Sequence, residues 1–317
     1  MNLSEAIGGY FGLELSKEVG YHKDVIAVNS GRNAFEYILR SREYRHVYIP
    51  YYTCDVLLEP LKKLNIKYDF YGVNDRLEPL GLDGINTSSA FLYTNYFGVK
   101  SAFIKELAGV LPNLIVDASQ AFFYEAIAGV DTFYSPRKFF GVPDGGYVIT
   151  NQKLKDNFAT DISTDRFTHL LVRIDKSAEE GFADFKADEL TLNNQPIKQM
   201  SKLTHSLLNN INYQAALMQR NENFNHLHSF LHQKNGFKWL DDVSPEAPMI
   251  YPFYTNDLQL RKKLIDHKIF VASYWPNVRE WVSETALEYQ LYEYLIPLPI
   301  DQRYGKQDMQ FIIEKIL

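Results

Sequence analysis

The sequence predicts an α/β fold with a mainly parallel central sheet in a large domain, followed by a small C-terminal α+β domain. In the first half of the chain, short apolar runs typical of strands alternate with apolar spacings typical of helices. Strands that alternate with helices require crossover connections, which place helices on both faces of a parallel sheet. The length of 317 residues, 46% of them hydrophobic, is sufficient for both domains.

The predicted elements of the first half follow one another in regular order. An N-terminal segment, partly helical, is expected at residues 1–20, where Gly8, Gly9 and Gly12 interrupt any long periodicity. Strands are predicted at residues 25–28, 46–50, 67–71, 90–94, 114–116, 131–135 and 147–150. Helices are predicted from residue 34, over residues 56–64 and around residues 103–110.

The hydrophobic periodicity changes in the second half of the chain. Residues 155–233 have helical periodicity, and a strand pattern returns only after Asn235-Gly236. After the apolar segment 249–253, a strand is predicted at residues 269–272 and helices at residues 258–266 and 309–317. We therefore expect a large domain over residues 1–234 and a small one over residues 235–317.

Composition excludes several classes of function. The net charge of −6 disfavours binding to nucleic acid. Cys54 is the only cysteine, so an internal disulfide is excluded and a reducing compartment is favoured. Apolar runs fall far short of the ~20 residues that a membrane span needs. The sequence therefore predicts a cytoplasmic protein with small-molecule ligands, no nucleic acid and no membrane.

Three stretches carry candidate chemistry. Residues 29–33, Asn-Ser-Gly-Arg-Asn, join a strand to a helix, where unpaired N–H groups form either an anion site or an ordinary cap by Ser30. Asp117 ends an apolar strand, the usual place for ligand chemistry in such sheets, although a lone aspartate there is often structural. Lys138 lies among aromatic residues and prolines, a setting that suits Schiff-base chemistry, whereas most lysines are solvated.

Other sites are disfavoured. No Gly-x-Gly-x-x-Gly follows the first strand, and no phosphate loop ending in Gly-Lys-Ser or Gly-Lys-Thr occurs. His226, His228 and His232 invite a metal interpretation, but no glutamate lies between them as in His-Glu-x-x-His. A solvated polar helix face explains them better, so no metal is predicted.

The order of these stretches resembles that of the pyridoxal 5′-phosphate enzymes of aspartate aminotransferase fold, fold type I. More narrowly, it resembles the DegT/DnrJ/EryC1/StrS family of sugar aminotransferases. The resemblance implies that Asp117 pairs with the pyridinium nitrogen, that Gln120 lies near the ring hydroxyl and that Lys138 binds the cofactor. It also implies that the phosphate is bound by Ser135 and by the turn Ser30, Gly31 and Arg32, while Asn212 reaches the cofactor of a neighbouring subunit.

The sequence departs from the family pattern at several positions. Arg32 replaces the usual threonine, and its guanidinium is a candidate for a charge-assisted bond to phosphate. The spacing Ser-x-x-Lys is shorter by two residues than the common form. Cys54 occupies the place of an aromatic residue that stacks on the cofactor; Tyr52 and Tyr96 are alternative candidates for that role or for substrate contact.

The implied activity is transfer of an amino group, commonly from glutamate, to a nucleotide-linked keto-sugar, by a homodimer. Arg303 is a candidate for binding the donor's carboxylate, with an ion pair to Asp301 or Asp308 as the alternative. One alternative function is another reaction with the same cofactor; Lys138 argues against the dehydratases of the family, which carry histidine there. The other is a ligand-binding protein that has lost turnover.

Overall fold

The computed structural model describes residues 9–15, 19–82, 85–86, 88–244 and 246–317. Within these ranges, seven strands form the central sheet, in the order β1-β7-β6-β5-β4-β2-β3. Strand β7 is antiparallel to its two neighbours, β1 and β6, and the other pairs are parallel. The strands are β1 (Ile26–Val28), β2 (His46–Pro50), β3 (Lys67–Tyr71), β4 (Ala90–Thr94), β5 (Leu114–Asp117), β6 (Asp131–Tyr134) and β7 (Gly146–Ile149).

Helices follow the strands as expected for an α/β fold. In the first half they are α1 (Gly31–Arg42), α2 (Leu58–Lys63) and α3 (Ser101–Val110). Later helices are α4 (Thr168–Asp175), α5 (Phe182–Thr191), α6 (Lys202–Leu208), α7 (Tyr213–Leu231), α8 (Leu260–Asp266), α9 (Val278–Trp281), α10 (Leu287–Tyr294) and α11 (Lys306–Ile316). A second, antiparallel pair is formed by β8 (Ile250–Tyr254) and β9 (Leu295–Pro299). The predicted fold class is confirmed.

Apolar packing on both faces explains why inner strands such as β4 and β5 are nearly continuous hydrophobic runs. On one face, helix α1 buries Phe35 and Ile38, and the Phe35 ring stacks on Phe133 of β6 at 5.4 Å. On the other face, side chains such as Tyr93 and Val116 join a core that continues to Tyr251 and Ile312 in the C-terminal region. The predicted boundary near residue 235 is therefore crossed by one continuous core, and the division into two domains stays a prediction.

Each strand predicted in the first half is confirmed to within one residue at either end. The strand predicted at residues 269–272 is wrong, since that segment has no regular structure. Its backbone groups are used by α8 instead: the amide of Ile269 donates to the carbonyl of Leu264 at 2.9 Å, and Arg261 donates to the carbonyl of Ala272. Residues 9–15 and 19–24 contain no helix, and the rest of the N-terminal segment lies outside the described residues.

No helix in the described part of the chain is both long enough and apolar enough to cross a membrane.

Candidate active site

The site is built where neighbouring strands of the sheet end. Asp117 is the last residue of β5 and lies in register beside Thr94, the last residue of β4. Beyond β6, the chain makes a single turn of 3₁₀-helix, Pro136–Lys138, which carries Lys138. Since β5 and β6 are parallel, their carboxyl ends bring Asp117 and Lys138 to the same edge of the sheet.

Ser119 connects the predicted carboxylate and the predicted amine. Its amide donates to Asp117 Oδ1 at 2.8 Å, and Lys138 Nζ donates to its Oγ at 3.0 Å. Burial raises the pKa of Asp117, while the charge of Lys138 and the bonds from Ser119 act in the opposite direction. Sequence reasoning missed Ser119, although an aspartate that accepts from the amide two residues on is a recognisable local turn.

The turn at the start of α1 lies against the segment that carries Lys138. Ser30 caps the helix, since its Oγ accepts from the Asn33 amide at 3.1 Å and donates to Asn33 Oδ1 at 2.6 Å. A Cβ added at Gly31 would lie 3.2 Å from the Cβ of Ser135. The structure thus brings Ser30, Gly31 and Ser135 together, with Ser30 already engaged as an N-cap.

The side chain of Arg32 is directed elsewhere. Its Nη1 donates to Glu59 at 2.8 Å and to Asn193 at 2.7 Å. The Ser135 hydroxyl, by contrast, has no hydrogen-bond partner among the residues described. An anion at this turn would therefore meet backbone N–H groups and the Ser135 hydroxyl more readily than the guanidinium of Arg32.

Gln120 and Cys54 also lie at this edge. Gln120 is buried, and its Oε1 accepts from the amide of Phe97 at 2.8 Å, which supports the left-handed conformation of Phe97. Burial raises the pKa of the Cys54 thiol, and the positive charge of Lys138 opposes this rise. Cys54 is therefore within electrostatic reach of Lys138, and its place beside the cofactor ring stays a prediction.

The tyrosines predicted to contact the ring or the substrate form part of the core. Tyr52 and Tyr96 are both fully buried. Tyr96 donates to the carbonyl of Tyr52 at 2.9 Å, and their ring centroids are 5.7 Å apart. Because both side chains are buried in the core, their positions favour a packing role that supports the site.

The remaining predicted residues make structural contacts. Asn212 caps α7, since its Oδ1 accepts from the amide of Ala215 at 2.9 Å. Arg303 forms a two-pronged ion pair with Asp301, at 2.6 and 2.9 Å, which is the alternative considered from the sequence. Asp308 instead accepts from the amide of Gly305 at 2.9 Å.

The histidines of α7 face a carboxylate. His228 Nε2 lies 3.3 Å and His232 Nδ1 3.9 Å from Asp241. Within the described ranges, no three His, Cys, Asp or Glu side chains are grouped closely enough to hold a metal ion.

The residues at the sheet edge fit pyridoxal phosphate. Asp117 is 5% exposed, and no cation among the described residues lies within ion-pair distance of it. A protonated ring nitrogen would supply the missing positive charge. Lys138 offers an amine, and Gly31 at the start of α1 lies so close to Ser135 that an added Cβ would be 3.5 Å from the Ser135 hydroxyl.

Comparisons with known proteins give similarity in structure but none in sequence. In sequence, the chain matches no protein-family model and no curated protein. In structure, it is similar to S. venezuelae DesV in complex with a ketimine intermediate, with a TM-score of 0.64, 16% identity, and coverage of 92% of this chain and 83% of DesV. It is also similar to a DegT DnrJ EryC1 StrS aminotransferase from Brucella abortus, with a TM-score of 0.62, 14% identity, and coverage of 94% and 85%.

A third similar structure is DesI in the presence of its TDP-sugar product, with a TM-score of 0.62, 12% identity, and coverage of 92% of this chain and 79% of DesI. These neighbours align with nearly the whole chain, so the likeness extends well beyond the central sheet. The resemblance first suggested by residues 29–33, Asp117 and Lys138 is thus confirmed at the level of structure. The chain has the fold of the DegT/DnrJ/EryC1/StrS sugar aminotransferases, which is fold type I.

Proposed function

We propose that this protein is a pyridoxal-phosphate-dependent aminotransferase that acts on a sugar. The observation that carries the proposal is the chain of contacts from the buried carboxyl of Asp117 through Ser119 to the amine of Lys138. A buried carboxylate and an adjacent lysine at the carboxyl edge of a parallel sheet are what such a cofactor requires. The fold shared with sugar aminotransferases supports the same assignment.

Each residue has a distinct role in this proposal. When bound, the cofactor supplies an electron sink for chemistry at the carbon that bears the amino group. Lys138 binds the cofactor and, when released from it, moves a proton through Nζ, while Ser119 orients that amine. Asp117 accepts a hydrogen bond from the ring nitrogen and keeps it charged. The amino end of α1 and Ser135 bind the phosphate.

The finer assignment concerns substrates and assembly. We propose an amino acid, glutamate in the first instance, as donor and a nucleotide-linked keto-sugar as acceptor, since DesI is described with a TDP-sugar product. The donor's carboxylate is not assigned to Arg303, whose guanidinium is held by Asp301. We also propose that the protein is a homodimer and that it acts in the cytoplasm.

The test is the absorbance spectrum of the protein mixed with pyridoxal phosphate, compared with that of Lys138→Ala. We expect the wild type to develop an absorbance band of lysine-bound cofactor that glutamate bleaches, and to retain the cofactor covalently after reduction with borohydride. The variant should show no such band, because it lacks the amine. A band of equal size in the variant would refute the role of Lys138.

Ser30→Asp tests the phosphate site separately. Aspartate caps helices about as well as serine, so the Asn33 amide keeps an acceptor, while the bond to Asn33 Oδ1 is lost. Thermal unfolding checks that the variant is folded. A carboxylate at this turn should weaken pyridoxal phosphate binding at least tenfold, on the order of one charge repulsion in a partly buried site. Binding of pyridoxal, which lacks the phosphate, is the matched control and should change little. Equal loss for both ligands would place the phosphate elsewhere.

One observation favours the alternative of a ligand-binding protein without turnover. The ion pair between Arg32 and Glu59 removes from the turn the one cation that could have replaced the family's threonine contact. Under this alternative, no band forms in any variant, and a nucleotide sugar binds equally with and without the cofactor. Calorimetric titration of TDP-glucose into cofactor-free protein distinguishes the two.

A further inference from the structure

We propose that Arg220, in the first half of α7, is a positioning residue. It holds the backbone next to Lys138 and thereby sets the reactivity of the Lys138 amine. The inference rests on the proposed function of Lys138, but its structural part is measurable without cofactor. Arg220 is 1% exposed, and it is one of the largest fully buried side chains in the described chain. A buried guanidinium is costly unless its donors are used, so its contacts indicate what it is for.

The contacts of Arg220 converge on neutral oxygen atoms. Its Nε donates to Gln302 Oε1 at 2.8 Å, and its Nη1 donates to the carbonyls of Pro248 and Met249 at 3.0 and 3.3 Å. Its Nη2 donates to the carbonyl of Phe139 at 3.4 Å. None of these partners is a carboxylate. Burial lowers the pKa of Arg220 to about 10, and the charge of Asp301 opposes this.

Phe139 is held from three directions at once. Gln302 Nε2 donates to its carbonyl at 2.9 Å, in addition to the bond from Arg220. The guanidinium also lies over its ring, with the central carbon 4.4 Å from the centroid. Within its own segment, the amide of Phe139 donates to the carbonyl of Pro136 at 2.9 Å and closes the turn that carries Lys138.

This geometry links the Lys138 turn to the C-terminal region. Pro248 and Met249 precede β8, and Gln302 follows β9, so the residue directly after Lys138 is attached to both strands through one side chain. Loss of the guanidinium would remove one donor to the Phe139 carbonyl and the bond that orients the other donor, Gln302. We expect the Lys138 turn to loosen as a result, and with it the contact of Lys138 Nζ with Ser119. Displacements of about 1 Å at a reacting group can cost on the order of 100-fold in rate.

Asn223 provides a matched control one turn further along α7. It is also 1% exposed, and its Nδ2 donates to the carbonyls of Ile300 and Tyr304 at 3.1 and 2.9 Å. It thus anchors the same segment after β9 without touching Phe139. Asn223→Ala should destabilise the fold by the same kind of loss as Arg220→Met while leaving the Lys138 turn in place.

The experiment compares wild type, Arg220→Met, Arg220→Lys and Asn223→Ala by thermal unfolding, hydrogen exchange and cofactor capture. In cofactor-free protein, the amides of Phe139 and Phe140 should exchange at least tenfold faster in Arg220→Met, and at the wild-type rate in Asn223→Ala. Capture of pyridoxal phosphate by Lys138 should slow about tenfold in Arg220→Met, with a shifted pH midpoint of the absorbance band. Arg220→Lys retains the charge and should recover part of both effects.

Each outcome decides one question. Equal exchange and equal capture in Arg220→Met and Asn223→Ala, at similar unfolding temperatures, would reduce Arg220 to a structural role and overturn the inference. If the wild type captures no cofactor, the proposed function fails, and the exchange rates alone still test the link to Phe139. If Arg220→Met does not fold, Gln302→Met removes the second donor to Phe139 and should give a smaller change, about threefold, in the same direction.

Discussion

At the scale of single residues, the carboxyl of Asp117 couples stability to function. Burial gives it a higher pKa in the folded protein than in the unfolded chain, so the folded state binds the proton more tightly. The stability that this proton contributes is complete below the usual aspartate pKa of about 3.9. It is lost as the pH rises from there through the raised folded value. Above that folded value, the charged and buried carboxylate therefore opposes folding.

We expect Asp117→Asn to unfold at a higher temperature than the wild type at pH 8 when both are free of cofactor. Asparagine still accepts the bond from the Ser119 amide but carries no charge. The difference should shrink towards pH 4, and amino transfer should fall by about 100-fold or more, the usual cost of losing a key electrostatic partner. Scanning calorimetry across pH, with the exposed Asp242→Asn as control, measures the first effect. An Asp117→Asn protein less stable than the wild type at pH 8 would contradict this reading.

The residues of the site differ in how far sequence could place them. The positions of Asp117 at a strand end and of Lys138 in an apolar, aromatic segment can be predicted, since strand ends and local composition are properties of short segments. Their roles in binding a cofactor stay a prediction. The choice between cap and anion site at Ser30 was not, because both use the unpaired N–H groups of a helix start and favour the same residues. Nor could Arg32 be assigned, since its partner Glu59 is 27 positions away and the pairing depends on how α1 and α2 pack.

At the scale of elements, the start of β7 and the turn before α1 approach too closely for any side chain. A Cβ at Gly146 would lie 2.3 Å from the carbonyl oxygen of Ser30 and 2.9 Å from the amide of Gly31. Both are backbone atoms, which cannot rotate away. The close approach places the start of α1 directly against β7, beside Ser135.

We therefore expect Gly146→Ala to lower the free energy of unfolding by about 1–3 kcal/mol or more, the usual cost of overpacking. Gly109 in α3 is the matched control, since nothing lies within 4 Å of its added Cβ. Gly109→Ala should stabilise the protein by about 0.5–1 kcal/mol through helix propensity. Urea unfolding measures both changes. Similar values for the two variants would show that β7 and α1 can separate at little cost.

Elements were predicted well where their own side chains determine them. Inner strands such as β4 and β5 are apolar runs of a few residues, and their burial on both faces explains those runs, whereas the edge strand β3 alternates exposed and half-buried residues. Residues 269–272 have the same apolar character, yet they form no strand. Their amide and carbonyl groups are already bound to Leu264 and Arg261, and no local pattern reveals such a competition.

At the scale of the whole molecule, the described surface carries apolar side chains that the fold does not use. Helix α4 buries none of its residues, and Leu171 and Ile174 on it are 50% and 79% exposed. Nearby in sequence, Ile162 and Phe182 are exposed as well. Large exposed apolar side chains grouped in one region are typical of an association surface.

We expect the protein to be a dimer at micromolar concentration with pyridoxal phosphate present, and α4 to contribute to the contact. Replacing Leu171 and Ile174 together by glutamate should weaken association at least tenfold, since two charges would have to be desolvated in the interface. Leu258→Glu, another exposed leucine placed before α8, is the control and should leave the dimer intact. Light scattering coupled to gel filtration measures the mass of each protein.

A monomeric wild type would refute the dimer itself. A dimer that the double variant leaves unchanged would remove α4 from the contact. In that case the exposed face of α4 would need another explanation, because a helix without a fully buried side chain gains little stability from burial within its own chain. The mass of the wild type thus tests whether the protein is a dimer, and the mass of the double variant tests whether α4 forms the contact.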